Sequence, residues 1–213
     1  AVMNLVYLAE QSMPKTSENE EAQKYLSQAD EELRRVKLIT AQSLRFYKQS
    51  TGPEAITCSA LLAPIIDLYG PRFSNYHIQA EMRERSSLHI VCLASEMRQV
   101  LTNLITNAID AMRGTGGRLL IRTHESTYWR TDAHGIIITV ADTGKGMAKE
   151  TIGSIYKAFY TTKGISGTGL GLWISSEIVR RHHGHLRVRS REGRGTVFQL
   201  FLPFQAASGE KRV

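Results

Sequence analysis

Near residue 50 the hydrophobic repeat of the chain changes period, and that break decides how it can fold. Between residues 22 and 47, Ala22, Leu26, Ala29, Leu33, Val36, Thr40, Ser43 and Tyr47 alternate steps of four and three. That spacing keeps one stripe along a helix. Beyond Ile56 the apolar residues come in short alternating or continuous runs, at 78–82, 88–93, 119–123, 136–141, 185–189 and 196–202, which is the signature of strands. Helices are expected between them at 60–69, ended by Gly70 and Pro71, and at 96–112 and 170–182. Strands that do not alternate strictly with helices imply an α/β fold, a mixed sheet covered by helices on one face. The chain therefore divides into a helical part (1–50), a linker (51–55), an α/β domain (56–204) and a tail (205–213).

The helical part reads as a hairpin. Residues 1–11 form a first helix, and Pro14, Lys15, Thr16 and Ser17 break it. The second helix covers 18–48, with Ser17 as its cap and Glu20 and Glu21 in its first turn. A single apolar stripe needs a partner surface. It packs on the rest of the chain or, in the reading preferred here, pairs with a second copy in a four-helix bundle.

Composition excludes several classes. No run of ~18 apolar residues is present to span a membrane as a helix, and no basic-then-apolar leader opens the sequence. Cys58 and Cys92 have no metal-ligand spacing and read as small core residues in a reducing compartment. A net charge of +7 favours anionic partners without choosing among them.

Neither G-x-x-x-x-G-K-[ST] nor G-x-G-x-x-G occurs, but four other features bear on phosphate and nucleotide chemistry. Asn103 and Asn107 lie four apart on one helix face, and asparagine is a poor helix-interior residue. An amide oxygen can ligate a hard cation that also holds phosphates; alternatively the pair faces solvent or satisfies nearby backbone. Asp142-Thr143-Gly144-Lys145-Gly146-Met147 follows an apolar strand. A carboxylate there needs a donor, which a nucleobase amino group could supply, although Asp and Gly are also ordinary turn residues. Phe159-Tyr160-Thr161-Thr162-Lys163 offers hydroxyls and an ammonium to phosphate, or is a polar loop tip. Gly167-Thr168-Gly169-Leu170-Gly171-Leu172 enters a helix whose first N–H groups can bind an anion, or is a flexible connection.

In this order and spacing the four features resemble the nucleotide-binding domain of sensor histidine kinases, within the wider superfamily that includes gyrase and the heat-shock chaperones. Asn103, Asn107 and Ala108 match its asparagine box, DTGKGM its first glycine box, FYTTKG its phenylalanine box and GTGLGL its second glycine box. The resemblance covers about residues 56–203. It implies the α/β sandwich known as the Bergerat fold, with ATP and Mg²⁺ as cofactors. It places Asp142 on the adenine amino group, with Gly144, Gly146 and Met147 beside the base. Asn107 would hold Mg²⁺ against the phosphates, and Asn103 lies in the same site. Lys163, with Thr161 or Thr162, would reach phosphate from a lid spanning 148–166. Gly167, Thr168, Gly169, Leu170 and Gly171 would present backbone amides and a hinge. Asn107 and Lys163 are the catalytic candidates.

Relatives that hydrolyse ATP carry a glutamate one turn before the metal-binding asparagine. Here that position is Asn103, which cannot act as a base, so transfer to a separate acceptor is favoured over hydrolysis. Asp110, one turn beyond Asn107, is assigned no role beyond a supporting contact behind the residues that bind. Tyr156 and Ala158 replace the first Phe and the Pro of the family's F-x-P-F. The resemblance further implies a cytoplasmic kinase region whose parent phosphorylates a histidine, then donates to a response-regulator receiver domain. Homodimerisation would run through the hairpin, and any membrane attachment through parts of the parent absent from this chain. Residues 1–5 look like the stretch just after the phosphoacceptor box, so the chain is expected to bind Mg-ATP without its own acceptor histidine. The rival readings are an ATP hydrolase of the same superfamily and a nucleotide-free scaffold.

Three groups of residues have ordinary readings. His124-Glu125, the only His-Glu pair, ends a predicted strand without a following Pro and reads as structural. His182, His183 and His185 lie at a helix end closed by Gly184, where a cationic side chain suits the dipole better than a metal site suits the spacing. Arg180, Arg181, Arg187, Arg189, Arg191 and Arg194 lack interleaved aromatics, and read as a solvated sheet edge, not a nucleic-acid surface.

Overall fold

The computed structural model describes residues 52–128, 132–163 and 167–204, together with Val6, Ala9, Asn19, residues 21–30 and Leu33. Residues 21–30 are helical, with Ala22, Leu26 and Ala29 half-buried and Tyr25 exposed. The rest of the predicted hairpin, its dimer and the tail 205–213 lie outside the described residues.

The α/β domain begins with β1 (Glu54–Thr57) and α1 (Cys58–Asn75), followed by β2 (Ile78–Glu84), β3 (His89–Cys92) and α2 (Ala94–Ala111). The long strands β4 (Gly117–Tyr128) and β5 (Ala133–Asp142) come next, then α3 (Lys149–Ile152) and α4 (Gly171–Arg181). The chain closes the sheet with β6 (His185–Arg191) and β7 (Gly195–Pro203). The five-stranded sheet has the order β2-β4-β5-β7-β6. β2 and β4 are parallel and the other pairs antiparallel, so the sheet is mixed. The parallel pair needs a crossover, which β3 and α2 supply.

Alternation decides which side the helices cover. In β4, Leu119, Ile121 and Thr123 are buried, and in β5, Ile136, Ile138 and Val140. Residues two apart share a sheet face. That face meets α2, whose Met97, Val100, Leu101, Leu104, Ile105 and Ile109 are 1% exposed or less. Each such burial contributes about 1.5–3 kcal/mol, so α2 is pinned to the middle strands. The opposite face carries Arg83, Arg118, Arg122, Arg187, Arg189 and Arg191, as the registers of β2, β4 and β6 require.

Several elements depart from the sequence expectation. α1 does not stop at Gly70 and Pro71 but runs through both to Asn75. Gly70 has no Cβ to clash with the proline ring. Phe73 is buried beyond it, and the Arg72 guanidinium lies over the Tyr69 and Tyr76 rings, so tertiary contacts hold the last turn. Glu54 and Ala55, expected in the linker, are the start of β1. β3 leaves the main sheet and pairs with β1 in a separate two-stranded ribbon, because its alternate residues Ile90 and Cys92 are buried in the core. His124-Glu125 does not end a strand. β4 continues to Tyr128 because β5 pairs along its whole length. At the end of α4 the left-handed residue is His183 (φ 56°), not Gly184.

The three neighbouring histidines diverge. The Leu93 N–H donates to His182 Nε2 at 3.1 Å, so Nδ1 carries the proton and donates to the Ile178 carbonyl at 2.9 Å. His185 packs on the Tyr128 ring, 4.2 Å between centroids. No helix among the described residues is long and apolar enough to cross a membrane.

Candidate functional site

A cavity of about 650 Å³ opens between α2, the ends of β5 and β7, and the segment leading into α4. Its polar wall follows from the alternation just described. Asp142 occupies the next position of the inward row after Ile138 and Val140, so the strand turns its carboxylate toward α2. It is 8% exposed. The Gly144 N–H donates to Asp142 Oδ1 at 2.8 Å. Burial pushes the carboxyl above the ordinary carboxylate range, against the pull of the Gly144 and Thr196 backbone N–H groups. A buried carboxylate with few donors is matched to a ligand that brings one.

The loop after Asp142 is held on both sides. Lys145 N–H donates to the Ala111 carbonyl at 3.1 Å, and Gly193 N–H to the Lys145 carbonyl at 2.7 Å. Met147 N–H donates to Ser190 Oγ at 2.9 Å. Gly146 has φ +66°, and a Cβ there would collide with the Arg191 carbonyl. Only glycine combines that conformation with that approach.

The asparagines form a relay rather than facing solvent. Asn103 Nδ2 donates to Ser175 Oγ of α4 at 3.0 Å, and Asn107 Nδ2 donates to Asn103 Oδ1 at 3.4 Å. This order turns Asn107 Oδ1 outward, into the cavity. There it accepts from Lys163 Nζ at 2.8 Å, while the same ammonium donates to Asp110 Oδ2 at 2.7 Å. Arg72 lies 3.5 Å from the other Asp110 oxygen. The Lys163 N–H donates to Thr161 Oγ1 at 3.0 Å, which curls the segment back toward α2. The close approach of α4 depends on Gly171, where a Cβ would strike Asn103 Oδ1. The first turn of α4 has no side-chain cap, so its N–H groups are available to an anion.

Of the residues singled out from sequence, Asn103, Asn107, Asp142, Gly146, Met147, Thr161, Thr162, Lys163, Gly167, Thr168, Gly169 and Gly171 line this one cavity. Gly144 and Leu170 stand behind its wall. A Cβ on Gly144 would meet the Ala111 carbonyl, and Leu170 is 4% exposed in the core. Sequence reasoning missed two partners, Ser175 and Thr196, and took Asp110 only as a supporting contact. Ser175 sits four residues after Gly171, a helical spacing that signals the same face. Thr196 is opposite Asp142 only through the sheet register, which no local pattern reveals. Tyr156, in the phenylalanine-box segment, packs against the core with a buried hydroxyl that has no partner among the described residues. Burial pushes that phenol up to about 12. Residues 164–166 of the predicted lid lie outside the described residues.

The family model described as histidine kinase-, DNA gyrase B-, and HSP90-like ATPase matches residues 92–206. Sporulation kinase C of Bacillus subtilis is 34% identical over 184 residues, 83% of this chain and 40% of that protein. The sensor histidine kinase ZraS of Salmonella typhi is 32% identical over 199 residues, 92% of this chain and 40% of that protein. The chain thus spans about two fifths of the length of these curated relatives. Among solved structures, the nucleotide-free catalytic domain of the histidine kinase ThkA superposes with a TM-score of 0.63 at 25% identity, covering 72% of this chain and 97% of that one. Full-length ShkA in complex with AMPPNP gives 0.66 at 26% identity, covering 97% of this chain and 43% of that one.

Proposed function

The chain belongs to the family of histidine kinase-, DNA gyrase B- and HSP90-like ATPases, and from that premise we propose that it is the ATP-binding catalytic region of a two-component sensor histidine kinase. The observation that carries the proposal is the single cavity shared by Asp142, the Asn103–Asn107 relay, Lys163 and the open first turn of α4. One end offers a desolvated acceptor for a base amino group, the other offers cationic and N–H donors for phosphates.

A divalent cation fits the phosphate end. Lys163 Nζ already rests on Asn107 Oδ1, so that oxygen is aimed as a cation ligand, and an amide oxygen suits Mg²⁺ alongside phosphate oxygens. When bound, Mg²⁺ would neutralise phosphate charge during phosphoryl transfer. The chain's own residues do the rest. Asp142 and the Gly146 turn orient the base. Asn103 fixes which way the Asn107 amide points. Lys163 and the α4 N–H groups hold the transferring end, so that positioning and charge supply the catalysis.

Asn103 also argues for transfer over hydrolysis. Its amide accepts no proton, and both of its polar atoms are bonded within the protein. The parent would pass the γ-phosphoryl to a histidine and then to a receiver-domain aspartate, and dimerise through the segment before residue 50.

Calorimetric titration with AMPPNP, with and without Mg²⁺, tests this reading. Binding that magnesium tightens, with the tightening lost in Asn107→Ala, is the expected result. No binding at millimolar nucleotide refutes it.

A further inference from the structure

The Lys163 ammonium is held by two oxygens at once, Asn107 Oδ1 at 2.8 Å and Asp110 Oδ2 at 2.7 Å. The contact joins segments 53 and 56 residues apart in sequence, and both charged side chains keep about a third of their surface accessible. An amide oxygen and a carboxylate oxygen converging on one positive charge is also a donor set for a hard divalent cation. Two cations cannot occupy it together. Resting on the proposed nucleotide site, we propose that Asp110 and Asn107 form one cation seat that Lys163 fills in the empty protein, and that Mg²⁺ entering with ATP exchanges for the ammonium and frees Lys163 for the phosphates.

The exchange gives Asp110 a role that the asparagine relay alone does not supply. Without metal, ATP must draw Lys163 away from a carboxylate while bringing its own phosphates near that same negative charge. With metal, the charge on Asp110 stays compensated when Lys163 leaves. Metal binding and release of the 161–163 segment from α2 then become a single event. Arg72, 3.5 Å from Asp110 Oδ1, holds the carboxylate in place from the far side in both states. Asp110 acts on the phosphates through Lys163 and is a positioning residue in the empty protein.

The test uses the full chain and the variants Asp110→Asn, Lys163→Ala and their combination. Two measurements are made: AMPPNP affinity with and without Mg²⁺, and the rate at which an amine-acylating reagent labels Lys163 in nucleotide-free protein, read by mass spectrometry. A charge-assisted pair of this exposure is worth about a threefold to tenfold change. Asp110→Asn should speed Lys163 labelling and tighten metal-free AMPPNP binding by about that factor, and shrink the magnesium effect by a similar one. In the Lys163→Ala background, Asp110→Asn should no longer tighten metal-free binding. Equal tightening in both backgrounds would mean simple repulsion between Asp110 and phosphate, and overturns the exchange. So does an undiminished magnesium effect in Asp110→Asn, or unchanged Lys163 labelling. Failure of the wild-type chain to bind nucleotide refutes the proposed function instead, and the labelling measurement still decides whether the Lys163–Asp110 contact exists.

Discussion

Tyr156→Phe should stabilise the protein, although it deletes a group from a half-buried aromatic residue. The Tyr156 hydroxyl oxygen is inaccessible and has no hydrogen-bond partner among the described residues. A buried hydroxyl left unpaired costs about 1–3 kcal/mol, and phenylalanine keeps the ring and opens no cavity beyond one oxygen. Taking the lower end, because the residue as a whole is only half-buried, the gain is about 1 kcal/mol. In a chain of this length that is a rise in Tm of about 2–4 °C. The alkaline limb gives an independent check. Burial holds the phenol up to about 12, from an ordinary value of 10. Above pH 10 the unfolded chain releases this proton while the folded chain keeps it, so wild type loses stability as pH rises from 10 toward 12. Discounted for the part of the ring that meets solvent, the loss is about 1–2 kcal/mol. Cys58 and Cys92, pushed by burial to about 12 and 11, add to the same limb in both proteins, so the difference between variant and wild type isolates Tyr156. Thermal unfolding followed by circular dichroism at pH 7.5, and at steps from pH 9 to 11, reads both effects. A variant that melts at or below the wild-type temperature at pH 7.5 would refute the reasoning, because the hydroxyl would then have a partner.

Two further outcomes follow from the site. Asp142→Asn keeps the shape but exchanges an acceptor for an amide that competes with the base amino group; preference for ATP over GTP should fall, read as the ratio of their binding constants, and an unchanged ratio places the base elsewhere. Gly171→Ala gains helix propensity of at most ~1 kcal/mol but drives a methyl into Asn103 Oδ1. The Asn103–Ser175 bond and the support of Asn107 should be lost, weakening magnesium-dependent AMPPNP binding about tenfold. Equal binding would show that Asn103 does not orient Asn107.

The share of this protein that the sequence determines is the share encoded locally. The period-two runs locate the main strands, and the 3.6-residue period locates α2 and α4, because burial on one face repeats along the element itself. The glycine-bearing loops and the paired asparagines are legible for the same reason: φ +66° at Gly146 and a shared helix face for Asn103 and Asn107 are properties of neighbouring residues. Tertiary structure decides whatever depends on pairing across distance. Nothing local says that β3 leaves the sheet for β1, that β4 extends through His124 and Glu125 because β5 lies beside it, or that α1 survives Pro71 because Phe73 is anchored. The same holds inside the site. Gly144 and Leu170 belong to the sequence boxes yet stand behind the cavity wall. Asp110, read from sequence only as a supporting contact, meets Lys163, 53 residues away, at 2.7 Å. A motif fixes which residues share a loop or a helix face; which charges meet is fixed only when the sheet register and the packing of α2 against α4 bring distant segments within hydrogen-bond distance.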